Sequence, residues 1–262
     1  MRPRRAVLKR SHLVLIVVLG VSACSRGLDP VPLPEVEAEI EDDGCENQVR
    51  AVTTVDNRLE DELTGDIDGN GSDDPVRIYL DRSSDAGCRA FVVVETEDVV
   101  ASEPIWEIGG EGGLPQPRLN SLAQIDGRPG LEILVDEIAG ASTQFVGAFT
   151  FMDGALERLE PVEPAEDLWS GASDGVFPYG GSVGHVEAVD CVADGEIVVS
   201  VALPGETPSK VERGIYTVTR RFFRVEGAEL LATKTEEKEV RFDFGKTYPE
   251  FGSSPFGSCP AA

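Results

Sequence analysis

The sequence predicts a mainly β domain built from antiparallel hairpins. Short runs of β-branched and aromatic residues recur along the chain, and glycine, proline and aspartate separate them, as expected for strands joined by turns. No segment of this domain has the sustained 3.6-residue period of an amphipathic helix. The candidate strands are residues 76–80, 90–95, 131–135, 144–151, 196–203 and 215–225.

Three glycine-containing turns support the hairpin interpretation. They lie at residues 152–156, 192–197 and 225–230, and each places a glycine where the chain must reverse between two strands. We therefore expect successive antiparallel pairs, which resemble distant copies of one unit.

The first 23 residues predict a cleaved export signal. A basic leader is followed by the apolar run 13–19, which is too short to span a bilayer, since a spanning helix needs roughly 20 apolar residues. The basic residues are Arg2, Arg4, Arg5, Lys9 and Arg10.

Residues 21–24, with the sequence Val-Ser-Ala-Cys, resemble the lipobox of bacterial prolipoproteins. The resemblance implies that a diacylglyceryl group is attached to the sulfur of Cys24 and that the leader is removed just before it. It also implies an extracytoplasmic location at a cell membrane or cell envelope. The alternative is an ordinary secretory signal that contains a cysteine.

The mature chain then divides into a linker and a domain. Residues 24–44 combine three prolines with an acidic run, a composition that opposes a packed core, so we expect a disordered, extended stalk. Residues 45–262 form the mainly β domain.

The charge of the mature chain excludes one class of partner. The full chain has a formal net charge of −25, and removal of five basic residues with the signal makes it −30. Such a surface repels the phosphates of nucleic acids and of anionic lipids. We expect no nucleic-acid partner, and membrane contact through the lipid anchor alone.

Four cysteines remain after Cys24: Cys45, Cys88, Cys191 and Cys259. An even number in an oxidising compartment favours two disulfides. Of the three possible pairings we favour Cys45 with Cys88 and Cys191 with Cys259, because each would fasten one end of the domain. No two of the four have the short spacing of zinc ligands.

The most specific local motif is residues 65–74, Gly-Asp-Ile-Asp-Gly-Asn-Gly-Ser-Asp-Asp, directly before a candidate strand. Oxygen-bearing side chains at alternate positions, with glycines that permit a tight coil, suit a hard cation such as Ca²⁺. An EF-hand would need a carboxylate at the twelfth position of the loop, where Arg77 stands. The candidate ligands are Asp66, Asp68, Asn70, the carbonyl of Ser72, and Asp74.

Residues 66–74 resemble the D-x-D-G-[ND]-G-x-x-D calcium loop of FG-GAP repeats in integrin-like β-propellers and of the related VCBS repeats. The resemblance implies a propeller-like or partial propeller fold and a structural Ca²⁺. Residues 125–133 resemble an eroded second copy, in which Arg128 and Pro129 replace potential ligands, so we expect no metal there. The alternative for the first loop is a solvated turn that binds nothing.

A catalytic interpretation is weaker. Residues 180–184 fit the G-x-S-x-G pattern with Ser182 at its centre, and His185 follows. That motif requires a strand, a sharp turn and a helix, whereas strand-like residues follow here. No phosphate-binding loop is present, and Trp106 and Trp169 are the only tryptophans for stacking on a sugar.

The sequence therefore predicts a membrane-anchored surface lipoprotein. Its β domain is expected to be non-catalytic, to bind Ca²⁺ structurally, and to act in envelope structure or in binding a protein or glycan partner. The alternative is a secreted hydrolase that acts on envelope material.

Overall fold

The computed structural model describes residues 58–80, 90–105, 117–140, 142–162, 175–193 and 195–260. The signal peptide, the linker, Cys24, Cys45 and Cys88 lie outside these residues, so the interpretations that rest on them stay predictions. All the described residues belong to one compact unit, residues 42–262. Within them, no helix has both the length and the apolar character needed to cross a membrane.

Strands account for most of the described chain. They are β1 (Arg58–Gly65), β2 (Asp74–Leu80), β3 (Ala90–Glu95), β4 (Val100–Ile105), β5 (Arg118–Ala123), β6 (Glu132–Ala139), β7 (Thr143–Met152), β8 (Ala155–Arg158), β9 (Glu160–Pro161), β10 (Val176–Ser182), β11 (His185–Ala193), β12 (Glu196–Pro204), β13 (Ile215–Glu226) and β14 (Glu229–Arg241). The short helix α1 (Pro208–Glu212) precedes β13, and 3-10 turns at Phe244–Lys246 and Pro249–Gly252 follow β14.

The strands form two sheets. The first is a four-stranded antiparallel sheet in the order β1-β2-β3-β4. The second has ten strands in the order β5-β6-β7-β10-β11-β12-β13-β14-β9, with β8 paired to β7. All pairs are antiparallel except β14 with β9. The predicted mainly β, antiparallel class is confirmed, whereas the described strands form neither a propeller nor a closed barrel.

Three runs of strands have the same simple connectivity. β1–β4, β5–β8 and β11–β14 each pair in chain order as an antiparallel meander. The turns at residues 152–156 and 225–230, predicted from their glycines, join the third and fourth strands of the second and third meanders. The predicted turn at 192–197 joins β11 to β12.

Strand β7 separates the two largest hydrophobic clusters. Val146 and Ala148 pack in the cluster formed mainly by the larger sheet, whereas Phe149 packs in the cluster that contains β2 and β3. Alternate residues of a strand point to opposite faces, so one strand contributes to both cores. The two sheets are therefore joined through buried apolar surface as well as through loops.

The C-terminal segment is fastened to β11 by a disulfide and a buried carboxylate. Cys191 and Cys259 are bonded, with their Cα atoms 4.9 Å apart, which is one of the two pairs that the sequence favoured. The buried Asp190 next to it accepts hydrogen bonds from the backbone N–H and the hydroxyl of Ser258, both at 2.7 Å, and from the Ser253 hydroxyl at 2.9 Å. The end of the chain thereby closes over the larger core.

Candidate metal centre

The acidic loop lies between β1 and β2, where the sequence motif places it. Asp66, Asp68 and Asp74 each offer one carboxylate oxygen, and these three oxygens lie within 4.8 Å of one another. The structure thus brings together three of the five ligands predicted from the sequence. A hard divalent cation takes several oxygen ligands from a short flexible segment of this kind.

Two glycines and the carboxylates themselves set the path of the loop. Gly69 and Gly71 have φ values of 75° and 88°, in the left-handed region that favours glycine. The Gly71 N–H donates to Asp66 Oδ2 at 3.0 Å, and the Asn70 N–H donates to Asp68 Oδ1 at 3.0 Å. The backbone therefore coils around the two carboxylates and holds them in place.

Asp74, the first residue of β2, is the buried member of the group. It is 3% exposed, and its Oδ2 accepts hydrogen bonds from the N–H groups of Ile67 at 3.0 Å and Asp68 at 3.4 Å. Burial raises the pKa of Asp74, and the nearby charges of Asp68 and Asp66 raise it further, against the lowering effect of the two amides. A cation at this position would relieve both of the unfavourable effects.

The remaining predicted ligands lie beside this group. Asn70 Nδ2 donates to Asp68 Oδ2 at 2.9 Å, and Asn70 Oδ1 accepts from the Ser72 N–H at 2.7 Å. Both residues are exposed. Asn70 is therefore adjacent to the acidic group through Asp68, while its own carbonyl oxygen is engaged by the loop.

The carboxylate oxygens have unsatisfied capacity. Asp66 Oδ1 is buried and has no hydrogen-bond partner. In the part of the chain that the structure describes, no lysine or arginine pairs with Asp66, Asp68 or Asp74. Buried anionic oxygens without a partner are costly, so the residues present fit a bound cation.

The loop between β5 and β6 repeats the same framework. A constant shift along the chain aligns Asp68 with Asp126 and Asp74 with Glu132. Glu132 Oε2 accepts from the Ile125 N–H at 2.5 Å, as Asp74 accepts from Ile67. The corresponding bond from the backbone N–H of residue 128 to Asp126 Oδ1 measures 2.8 Å. Two of the three carboxylates therefore have counterparts in the second loop, whereas Asp66 aligns with Gln124.

The second loop differs because it supplies its own cation. Arg128, which aligns with Asn70, donates from Nε to Asp126 Oδ2 at 2.5 Å and from Nη2 to Thr150 Oγ1 at 3.1 Å. Thr150 Oγ1 in turn lies 3.5 Å from Glu132 Oε1. The guanidinium thus neutralises Asp126 directly and is linked to Glu132 through one hydroxyl. Burial raises the pKa of Glu132 to about 8, and the charge of Asp126 raises it as well.

The two loops are in close contact. A Cβ added at Gly69 would lie 2.7 Å from the Pro129 carbonyl, and one at Gly130 would lie 2.6 Å from the Ile67 carbonyl oxygen. Both glycines have positive φ values, so each is required both by the backbone conformation and by the space. The conformation of the acidic loop is therefore coupled to that of the second loop.

The G-x-S-x-G motif has no nucleophile-elbow geometry. Ser182 ends β10 and His185 begins β11, so the motif forms a strand–turn–strand hairpin rather than a strand–turn–helix. Ser182 Oγ accepts from the Gly184 N–H at 3.2 Å, while His185 Nε2 lies 3.3 Å from Ser142 Oγ. The structure brings His185 to a serine that the motif does not contain.

Sequence reasoning also missed a buried ion pair. Arg158 Nη1 donates to Glu137 Oε1 at 2.5 Å, and neither side chain is more than 1% exposed. Arg158 Nη2 also donates to the Pro104 carbonyl of β4 at 3.2 Å, which ties the smaller sheet to β8. The only sequence signal for this ion pair is a charged residue within a strand whose other residues are patterned for burial.

The chain matches no protein-family model, no curated protein and no solved structure at a significant level.

Proposed function

We propose that the chain is a lipid-anchored surface protein of a bacterial cell envelope whose β domain binds Ca²⁺ in the loop of residues 66–74. Asp66, Asp68 and Asp74 are the carboxylate ligands, and Asn70 and the carbonyl of Ser72 complete the set. The domain acts in envelope structure or presents a face to a protein or glycan partner.

The comparison of the acidic loop with the loop between β5 and β6 supports the metal proposal. The second loop has counterparts of Asp68 and Asp74, with Gln124 in place of Asp66, and it holds the guanidinium of Arg128 against Asp126. The first loop has Asn70 at that position, three converging carboxylates and an unpartnered Asp66 Oδ1. A bound cation neutralises the carboxylates of the first loop, as Arg128 neutralises Asp126 in the second loop.

The nature of the ligands favours Ca²⁺ over other cations. All five are oxygen donors on a loop, and Ca²⁺ accepts six to eight oxygens in flexible geometry, whereas Mg²⁺ demands near-octahedral coordination. Affinity in the range of extracellular modules, roughly 10⁻⁴ to 10⁻³ M, suits an exported protein. When bound, the ion supplies charge neutralisation that fixes the loop.

The role is structural because of where the loop lies. Gly69 abuts Pro129 and Gly130 abuts Ile67, so an ordered first loop supports the second loop and the junction between β1 and β5. The resemblance to FG-GAP and VCBS repeats, together with three successive meanders, supports descent of the domain from a repeated four-stranded unit.

Thermal unfolding of the full chain tests the metal proposal. Ca²⁺ at millimolar concentration increases the free energy of unfolding of the wild type by RT ln(1 + [Ca²⁺]/Kd) and therefore raises its Tm. Asp66→Asn and Asp74→Asn lose this shift, whereas Asp73→Asn, an exposed acid of the same loop outside the group, keeps it. A wild type without any Tm shift, or a shift equal in all four proteins, would contradict the proposal.

The anchor has a separate test. Metabolic labelling with a radioactive fatty acid marks the wild type, and Cys24→Ala abolishes both the label and membrane association. A Cys24→Ala protein that stays labelled and membrane-bound removes the anchor from the proposal without affecting the calcium site.

A further inference from the structure

A chain of hydrogen bonds joins a serine, a histidine and a glutamate. Ser142 Oγ lies 3.3 Å from His185 Nε2, and His185 Nδ1 lies 2.7 Å from Glu187 Oε1. The second oxygen of Glu187 accepts a hydrogen bond from the Thr143 hydroxyl at 3.1 Å. The hydroxyl, the imidazole and the carboxylate have the same order as in a serine-hydrolase triad. The same ring nitrogens are also used, with Nε2 toward the serine and Nδ1 toward the carboxylate.

The partners of His185 define its tautomer. An ionised carboxylate only accepts hydrogen bonds, so Nδ1 carries the proton that it donates to Glu187. In the neutral ring Nε2 is then left as an acceptor, aimed at the hydroxyl of Ser142. The Glu187 side chain is 11% exposed and is held by Thr143, whereas Ser142 is exposed. The serine that the imidazole can deprotonate is therefore accessible to a substrate.

A glycine lies at the centre of this arrangement. Ser142 directly precedes β7 and His185 begins β11, with β10 between them in the sheet. In the strand register, Gly180 of β10 lies opposite Thr143 on one side and Glu187 on the other. A Cβ added at Gly180 would lie 3.2 Å from the Ser142 carbonyl oxygen, which is a tight contact beside the group. Gly180 also has a φ of 95°, a conformation that other residues rarely adopt.

An apolar cleft adjoins the group. It has a volume of about 380 Å³, and Gly181 and Glu187 line it together with Val186, Phe244 and Phe251. Gly181 also donates its N–H to the backbone carbonyl of Ser142 at 2.7 Å. Ser142 and His185 themselves are not among the residues that line the cleft.

We propose that Ser142 and His185 are the catalytic residues of an esterase site for small carboxylic esters, with Glu187 as a positioning residue. This activity goes beyond the calcium and envelope role proposed above. The sequence alone favours a non-catalytic domain, and the hydrogen-bond chain from Ser142 to Glu187 is the observation that points the other way.

The reaction consumes the substrate ester and one water molecule and needs no other reactant. The oxygen of Ser142 forms a bond to the ester carbonyl carbon, and its proton moves to His185 Nε2. The bond to the alkoxy group then breaks, and the same proton passes to the departing alcohol, which leaves an acyl ester on Ser142. Water adds to this ester with His185 again as the base, and Ser142 is regenerated with release of the carboxylic acid.

The test compares the wild type with Ser142→Ala, Ser182→Ala, Ser209→Ala and Glu187→Gln, all as the full chain, by hydrolysis of p-nitrophenyl butyrate and by labelling with a fluorophosphonate. The wild type turns over the ester and is labelled on Ser142. Ser142→Ala lowers kcat/KM by about 100-fold or more, as expected for loss of the nucleophile. Ser209→Ala, at an exposed serine on α1, leaves both readouts unchanged. Glu187→Gln lowers kcat and leaves KM unchanged.

Three results would overturn the proposal. The first is a wild type that neither turns over the ester nor takes up the label. The second is equal activity in the wild type and Ser142→Ala. The third is loss of activity in Ser182→Ala together with retention in Ser142→Ala, which would assign the nucleophile to the G-x-S-x-G hairpin. Because Ser142 is exposed, an unchanged Tm of Ser142→Ala verifies that the variant is folded.

Discussion

Arg128 donates a hydrogen bond from Nε to the carboxylate of Asp126 at 2.5 Å, in a loop that otherwise repeats the framework of the acidic loop before β2. The side chain of Asp126 is only 3% exposed, so its charge needs a partner. In the first loop the equivalent carboxylate, Asp68, accepts from the neutral amide of Asn70 and has no lysine or arginine partner within the described chain. The pair of loops is an internal comparison between a site with a built-in cation and a site that requires an external one.

Removal of that built-in cation is expected to destabilise the domain. Arg128→Gln leaves Asp126 without its ion-pair partner and breaks the link to Thr150. Since the arginine is 45% exposed, we expect a loss of about 1 to 2 kcal/mol, below the cost of breaking a fully buried pair. Urea unfolding measures this change.

The matched control is Arg224→Gln, because Arg224 pairs with Glu226 where both side chains are more than half exposed. Its free energy of unfolding should stay within about 0.5 kcal/mol of the wild type. Equal losses in the two variants would mean that Arg128 is an ordinary surface arginine.

Glu132 makes the stability of the domain depend on pH. Its pKa in the folded state is about 8, raised first by burial, against an ordinary value of 4.5. Between these pH values the folded state binds more protons than the unfolded state, so stability falls as pH rises from about 5 to about 8. Glu132→Gln should flatten this fall, whereas the exposed Glu237→Gln should retain it. Urea unfolding at intervals of pH follows the effect, and a wild type equally stable across this window would contradict it.

The ion pair between Glu137 and Arg158 is expected to be costly to break on one side only. Arg158→Met leaves the buried Glu137 carboxylate without its partner and should destabilise the domain by about 3 to 5 kcal/mol. Burial raises the pKa of Glu137 against the lowering effect of Arg158, so loss of the arginine would disfavour the charged carboxylate further.

The control for this pair is the double variant Glu137→Gln/Arg158→Met, which removes both charges. It should be more stable than Arg158→Met alone, because no buried charge is left unpaired. A double variant at least as unstable as the single one would show that Arg158 acts through its packing on Phe149 rather than through charge.

The disulfide between Cys191 and Cys259 should contribute about 2 to 4 kcal/mol of stability, because it closes a long loop in the unfolded chain. Cys191→Ser measures this contribution by urea unfolding. Non-reducing peptide mapping should recover a linked peptide that contains Cys191 and Cys259, and free thiols at both positions would contradict the bond. The same map tests the predicted partner pair, Cys45 with Cys88.

Local patterns were sufficient for the strands with apolar cores. Runs rich in apolar and β-branched residues predicted β2, β3, β6, β7, β12 and β13, and the structure contains each of them. The aspartate spacing also placed Asp66, Asp68 and Asp74 correctly, because ligands within one short loop come together through local geometry alone.

Other elements were missed because no local pattern determines them. Strand β14 is rich in lysine and glutamate and mostly exposed, so its apolar content gives little indication of a strand. It forms because its backbone pairs with β13 along nearly its whole length. In the same way, the contact between Ser142 and His185 depends on the pairing of β7, β10 and β11, which brings together residues far apart in sequence.

The most direct test of the calcium proposal is isothermal titration calorimetry of the full chain with CaCl₂, beside Asp66→Asn and the control Asp73→Asn. We predict one site per chain in the wild type and in Asp73→Asn, with a Kd of roughly 10⁻⁴ to 10⁻³ M, as in extracellular calcium-binding modules. We predict no binding in Asp66→Asn. Absence of binding heat in the wild type at millimolar Ca²⁺, or an unchanged isotherm in Asp66→Asn, would contradict the assignment of this loop as a calcium site.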